Sequence, residues 1–344
     1  MCAEANYKYF LLRRLITMSI TVISITFLIF FIVRFIPSDP ARLWAGKRAT
    51  LEQIEQARRE LGLDKPIWVQ YLMFLSRFLR GDLGVSHHTR RPVLKDLATY
   101  FPATFELTTI AMIIALTVGM LLGILSAVHK DSLIDHVARI ISLIGVSMPS
   151  FWLGILLQLV FSNTLHIMPA SGRISSYLVL ARPIKTVTGL YLIDTLLNGR
   201  LDAFLSALHH MILPAITLSF SPIAIITRMV RSSLIEVLNQ DYIIAAKSKG
   251  LPQKVVIYKH ALRNALIPTT TVAGLVYGFL LAGSPLIEMV FDWPGLGLYA
   301  AKSALVIDYP AIMGVAVLYA LIYLIVNLIV DIVYALIDPR VRYR

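Results

Sequence analysis

The densest group of residues able to engage a partner lies between Asp241 and Pro268, in the run DYIIAAKSKGLPQKVVIYKHALRNALIP. Lys247, Lys249, Lys254, Lys259 and Arg263 make it basic, and Gly250-Leu251-Pro252 interrupts two helix-favouring stretches. Asp241–Lys249 reads as one short helix and Gln253–Leu266 as a second, with Val255, Ile257, Leu262 and Leu266 among its apolar positions. Pro268 stands where a first helical turn tolerates it. The chemistry on offer is non-covalent: a stiff basic elbow, held at both ends, that a partner can grip and move. The plainer reading is an amphipathic helix lying at an interface.

Other candidates are sparse. Trp293-Pro294-Gly295 forms a rigid turn, a candidate outer gate or outside contact, or else a plain connector. Gln158, Asn327 and Asp331 are polar positions within or beside apolar runs, and Arg34 closes the first of these runs, where it can snorkel. The adjacent pairs His87-His88 and His209-His210 point about 100° apart on a helix, a poor geometry for joint chelation. No His-Glu-x-x-His and no phosphate-binding G-x-x-x-x-G-K-[ST] occurs; Gly46-Lys47-Arg48 lacks both the spacing and the hydroxyl. The single cysteine, Cys2, allows no intramolecular disulfide.

The elements that must position these residues are membrane helices. Of 344 residues, 57% are hydrophobic and 15% charged, against roughly 25% charged in a soluble domain. Six charge-free runs approach or exceed the length needed to span: Leu15–Val33, Leu107–Val128, Ile140–Leu165, Met211–Thr227, Ala265–Ile287 and Tyr309–Val330. The fourth is shortest and holds Pro214 and Pro222, which imply kinks. The first exceeds a signal-peptide core and reads as a retained anchor. With both termini inside, the inner segments 1–14, 129–139, 228–264 and 338–344 carry fifteen Lys and Arg residues, against five in the outer loops after the third and fifth runs. The outer segment 37–102 is too long for its charges to count. The net charge of +12 follows this bias and suits an anionic inner leaflet, so nucleic acid is not an expected partner.

The expected organisation is a cytoplasmic tail and first span (1–36), an outer helical insertion (37–102) and a five-helix core (103–344) with the elbow at 241–263. Within the insertion, Thr50–Leu61 has helical spacing, with Thr50 as N-cap and Gly62 as stop. Ile67–Leu79 reads as an aromatic amphipathic helix that lies on the membrane, covers the outer mouth or packs as a satellite. Residues 166–210 read as irregular, with one helix before the fourth span.

The elbow resembles the "EAA" loop of binding-protein-dependent ABC importer permeases. With Gly250 on its glycine, Ala245 and Ala246 fall on the two alanines and Leu262 on the leucine, while Ile244, His260 and Arg263 depart from the pattern. The run His260–Pro268 resembles the oligopeptide/dipeptide branch. So do Leu61-Gly62-Leu63-Asp64, Gln70-Tyr71, Gly81-Asp82-Leu83-Gly84 with Ser86, Pro149-Ser150-Phe151-Trp152-Leu153-Gly154, Phe291–Gly297 and Asp338-Pro339-Arg340, which together are similar to its B-type subunit.

The resemblance implies an all-α integral membrane protein of six transmembrane helices with the type I ABC importer permease fold. It implies a plasma-membrane permease subunit with no catalytic activity and no cofactor or metal of its own. It would pair with a homologous C-type permease in the lipid bilayer, receive substrate from an extracytoplasmic binding protein and rest on two ATPase subunits that bind ATP and Mg. The coupling set would be Asp241, Tyr242, Ala245, Ala246, Gly250, Leu251, Pro252, His260 and Arg263, with Trp293, Pro294 and Gly295 at the outer gate or binding-protein contact. Members resembling this chain handle dipeptides, oligopeptides, nickel complexes or oligosaccharides. An ATP-independent transporter or channel is the rival class, although none of the six runs holds an ion-coupling carboxylate.

Overall fold

A computed structural model describes residues 2–35, 39–46 and 48–337. The helices are α1 (Cys2–Phe35), α2 (Pro40–Ala45), α3 (Leu51–Glu60), α4 (Ile67–Leu79), α5 (Val93–Val128), α6 (Leu133–Ser147), α7 (Ser150–Leu157, continued as a π-helix over Gln158–Thr164), α8 (Ser176–Ala181), α9 (Tyr191–Leu197), α10 (Leu201–Leu238), α11 (Asp241–Ser248), α12 (Gln253–Val255, continued as a π-helix over Val256–Ala261), α13 (Leu262–Leu281), α14 (Pro285–Val290), α15 (Leu296–Leu305) and α16 (Tyr309–Ile337). Among the described residues there is no strand, only an isolated bridge between Val85 and Pro92. The Arg34 side chain, Lys47 and Asp338-Pro339-Arg340 lie outside the described residues.

Among the described residues, four helical segments are long and apolar enough to cross a membrane: α5, α10, Gln253–Leu281 and Tyr309–Ile332. The third expected run is not one continuous helix. α6 and α7 qualify only as a pair bent by 102°, because Pro149 has no N–H to continue α6 and Met148 before it is extended (φ −85°, ψ 126°). α1 carries a shorter apolar stretch, Ile16–Ile32. The fifth run stops at Leu281, where Gly283 turns with φ +93° and Pro285 starts α14. Two helices extend far beyond their charge-free cores. α5 starts at Val93, inside the 37–102 segment, and α10 covers Leu201–Leu238. They run on past charged residues because several of those charges find partners inside the fold.

The core lies where α5, α10 and α13 meet, around Leu107, Met112, Leu213, Ile226, Val230 and Leu280. Small residues bring α5 and α10 together: a Cβ at Gly123 would fall 2.7 Å from the Val230 Cβ and 2.9 Å from the Thr227 carbonyl. Lipid is as apolar as a leucine side chain, so close backbone packing rather than hydrophobicity drives such helices together. α16 packs on α13 and α1.

The segment between α1 and α5 follows its local signals. Thr50 and Gln53 form a reciprocal capping box at the start of α3. Gly62 ends α3 with φ +67°, and Leu63 N donates to the Arg58 carbonyl at 2.9 Å. Arg58 reaches back to Asp39, the N-cap of α2, at 2.8 Å. α4 rests on α1: Tyr71 is buried edge-on against Phe27 and Phe30, with centroids 5.4 and 5.5 Å away. Residues 166–210 hold two short helices, α8 and α9, and the first turns of α10, where one helix was expected.

Candidate functional site

The elbow is present, and its turn is built by backbone chemistry. Gly250 has φ +74°, its N–H donates to the Lys247 carbonyl at 2.9 Å, and Leu251 N donates to the Ala246 carbonyl at 3.4 Å. This is a Schellman ending for α11, with the left-handed position held by the residue that adopts it at least cost. Pro252 follows, and its carbonyl accepts from Val255 N and Val256 N at 2.9 and 3.1 Å, starting the next helix. The two arms are tied by Asn264 Nδ2, which donates to the Tyr242 hydroxyl at 2.7 Å.

One side of the elbow is anchored. Ile243, Val256, Ala261 and Ala265 are buried against Ala127 at the end of α5 and Leu234 and Val237 on α10. The other side is open. Asp241, Tyr242, Ala245, Gly250, Leu251, Pro252 and Arg263 are exposed, as are Lys247, Lys249, Lys254 and Lys259. Ala246 is half-buried, packed against the anchoring cluster, and His260 is also half-buried. Ile244, named from the sequence only as a departure from the loop pattern, and Tyr258, not singled out there, are exposed large side chains on the same elbow. Their signal was available: large apolar residues in an otherwise polar, basic stretch. A rigid turn therefore presents small, apolar and cationic groups outward on an apolar footing.

The footing is pinned by a buried ion pair that sequence reasoning missed. Asp135, fully buried in the first turn of α6, accepts from Arg231 Nε at 2.7 Å and from Nη2 at 2.8 Å. Ser126 Oγ (2.5 Å) and Asp131 N (3.0 Å) also donate to its carboxylate. The fork joins α5, α6 and α10 just before α10 runs into the elbow. A bidentate guanidinium–carboxylate contact fixes orientation as well as distance.

At the opposite end of the bundle, the Trp293-Pro294-Gly295 turn is an internal strut. Trp293 is fully buried, with Nε1 donating to the Ala103 carbonyl at 2.9 Å. Gly295 is buried as well, and only Pro294 of the three is partly exposed. Trp293 and Gly295 therefore pack inward on α5, and of the three residues expected at an outer gate or an outside contact only Pro294 offers surface. Beneath it, Glu288 accepts from Thr104 Oγ1 (2.7 Å) and Leu298 N (2.8 Å), and Leu296 N donates to Thr104 Oγ1 at 2.8 Å. Burial pushes the Glu288 carboxyl up to about 7, against the pull of its Thr104, Leu298 and Gly297 donors.

A Cβ at Gly295 would fall 2.6 Å from Glu288 Oε2 and closer still to Thr104 Oγ1. Gly295→Ala is therefore expected to destabilise the protein by about 1–3 kcal/mol through overpacking, measured as a lowered unfolding midpoint in detergent. An unchanged midpoint contradicts this packing.

Further polar residues serve as joints. Glu106 meets Arg173 at 2.5 Å and accepts from Leu192 N at 2.7 Å. Asp308 accepts from Ser86 Oγ at 2.6 Å and His88 N at 3.0 Å, tying the Gly81–Ser86 turn to the start of α16. Gln158 donates to the Ala170 and Val290 carbonyls at 2.7 and 2.8 Å, so it bridges loops. Asn327 and Asp331 line a cavity of about 280 Å³ between α16 and the Thr17–Thr21 face of α1. The histidine pairs separate in use: His87 sits edge-on to Trp44, whereas His209 and His210 approach the Ile167 and Ser206 carbonyls. Among the described residues, no group of three or more His, Cys, Asp or Glu side chains is arranged to hold a metal.

Comparison with known proteins identifies the family. Residues 119–343 match the family described as binding-protein-dependent transport system inner membrane component, and residues 7–108 match the N-terminal family of such membrane components. The chain is 45% identical over 336 residues to the dipeptide transport system permease protein DppB of Escherichia coli strain K12, covering 97% of this chain and 99% of that one. It is also 45% identical over 322 residues to that strain's "Probable D,D-dipeptide transport system permease protein DdpB", covering 94% of each. The glutathione transport system permease protein GsiC of Pectobacterium atrosepticum is 38% identical over 337 residues, covering 98% of this chain and 99% of that one.

Proposed function

The chain belongs to the family of binding-protein-dependent transport system inner membrane components, and on that premise we propose that it forms half of the pore of an ATP-driven importer of di- and oligopeptides. The observation that carries this reading is the elbow: its turn is rigid, one side is anchored on α5 and α10, and the other side is open. A loop with those properties transmits displacement into the bundle instead of absorbing it.

In this reading α1 and the bent α6–α7 pair each count as a span, giving six, with both termini cytoplasmic as the basic residues require. Residues 37–102 form the extracytoplasmic insertion and 103–344 the core. Two separate ATPase subunits bind ATP and Mg, and one of them seats this elbow through Asp241, Tyr242, Ala245, Gly250, Leu251, Pro252 and Arg263, with Ala246 and His260 behind that face. A homologous permease supplies the other half of the pore, and an extracytoplasmic binding protein delivers the peptide. ATP binding closes the ATPase pair, shifts the elbow, and switches the pore between inward-open and outward-open states, to which the ATPase pair binds differently. This chain performs no chemistry on its cargo. The strut at Trp293, Pro294 and Gly295 holds the outer gate through Glu288 and Thr104.

The test is reconstitution in liposomes with a second permease, the ATPase pair and the binding protein. Uptake of a labelled dipeptide is expected only with hydrolysable ATP and all components present. Equal uptake without nucleotide overturns the importer reading.

A further inference from the structure

A cavity of about 420 Å³ opens beside the outer strut, lined by residues of α5, the loop before α9, and Pro294. Its walls include Tyr100, Pro102, Val187, Tyr191 and Pro294, and Arg173 lies among them. We propose that this cavity is a transient subsite for a short peptide, with Arg173 receiving the peptide's terminal carboxylate. The proposal rests on the peptide-importer reading above and names where the cargo first meets the pore.

Three observations support it. First, Arg173 is held for recognition. Its side chain is 8% exposed, its Cζ lies 4.0 Å from the Tyr191 ring centroid and 5.5 Å from that of Trp293, and Nη2 donates to Glu106 (2.5 Å) and the Gly189 carbonyl (3.1 Å). A guanidinium fixed in this way loses little freedom when it binds an oxyanion. Second, one donor is left over. Arg173 Nε is buried without a hydrogen-bond partner, while both oxygens of Glu106 are engaged, by Arg173 and by Leu192 N. A buried donor without an acceptor is costly, and a ligand carboxylate oxygen that opens the wall around it would satisfy it.

Third, the wall is preformed. Thr188 N and Oγ1 both donate to Asp194 Oδ1 at 2.8 Å, and Gly189 N donates to Oδ2 at 2.9 Å, so a buried carboxylate sets the loop. The volume lies at the low end of small-molecule sites, about 300–1,000 Å³, which suits a peptide of few residues. Tyrosine, proline and valine surfaces beside one cation would accept varied side chains while fixing the backbone terminus.

The test uses the complete assembly in lipid nanodiscs without the binding protein, with dialanine and dialanine amide as probes in equilibrium binding. Dialanine should bind at least about tenfold more tightly than the amide, which keeps the size but loses the carboxylate. Val187→Trp fills the cavity from an exposed position and leaves the Glu106–Arg173 pair in place; it should weaken dialanine binding at least about tenfold without lowering the melting temperature. Arg173→Lys should do the same by removing the fork, and Val187→Trp keeps the test decisive if that variant misfolds. Equal binding of amide and acid, unchanged binding by Val187→Trp, or no dialanine binding overturns the subsite. So does a Val187→Trp assembly that binds dialanine normally but docks the binding protein poorly, since the cavity would then seat that protein. ATP-dependent dipeptide uptake by the unmodified assembly separates the two levels: if uptake persists and these effects are absent, only the subsite fails, whereas no uptake removes the importer reading itself.

Discussion

Gly250→Asp is expected to reduce ATP-driven peptide uptake at least about tenfold while leaving the permease folded. The reason lies in the local geometry. Gly250 has φ +74°, a region that costs most residues roughly 1–2 kcal/mol but that Asp and Asn visit readily. A Cβ at this position meets nothing within 4 Å. The change therefore spares the elbow's internal packing and places a carboxylate at the tip of a surface whose exposed charges, apart from Asp241, are cationic. Gly250→Asn is the control: it has the same shape and the same tolerance of the left-handed region, without the charge, and should retain much more activity. Uptake and substrate-stimulated ATP hydrolysis should fall apart in the Asp variant, with hydrolysis no longer responding to the loaded binding protein. Wild-type uptake and stimulation in Gly250→Asp would remove the elbow from the coupling path.

The second large effect concerns the footing. Asp135→Ala removes the acceptor for both Arg231 donors, for Ser126 Oγ and for Asp131 N at a fully buried point. Breaking a buried pair by deleting one partner typically costs about 3–5 kcal/mol, because the other charge stays behind. Arg231 keeps 21% of its side-chain surface exposed, so the lower end of that range is expected here. The check is chemical unfolding in detergent, with Asp135→Ala and Arg231→Met combined in a cycle. The double variant should be less destabilised than the sum of the two single ones. Additive losses would mean that the pair contributes no coupling energy and that the junction of α5, α6 and α10 is held by packing alone.

Both arguments join the two ends of one lever. Tyr242–Asn264 and the Schellman turn make the elbow stiff, while Asp135–Arg231 makes the end of α10 stiff. In the proposed coupling path, these contacts connect a displacement at the exposed Leu251 or Arg263 to the core around Ile226 and Val230.

Much of this was legible in the residues themselves. Thr50 with Gln53, Gly62, Gly250-Leu251-Pro252 and the aromatic spacing of Ile67–Leu79 act through the backbone within a few positions, so their helices, caps and turns follow from local chemistry. The charge-free runs identified the membrane as solvent for the same reason, since transfer from water depends on composition more than on neighbours. Tertiary structure alone decided what the exceptions do. The pairs Glu106–Arg173 and Asp135–Arg231 are 67 and 96 positions apart, and no local pattern says which carboxylate a guanidinium will find. α5 runs from Val93 through the buried Asp96 and Glu106, whose carboxylates meet Thr89, Tyr299 and Arg173: charges that look like helix ends become interior joints once paired. Trp293 looked like a surface turn because tryptophan, proline and glycine suit one; its burial against Ala103 exists only because α5 passes beneath it. Local signals specify conformation, whereas the exposure of a side chain depends on which distant element packs against it.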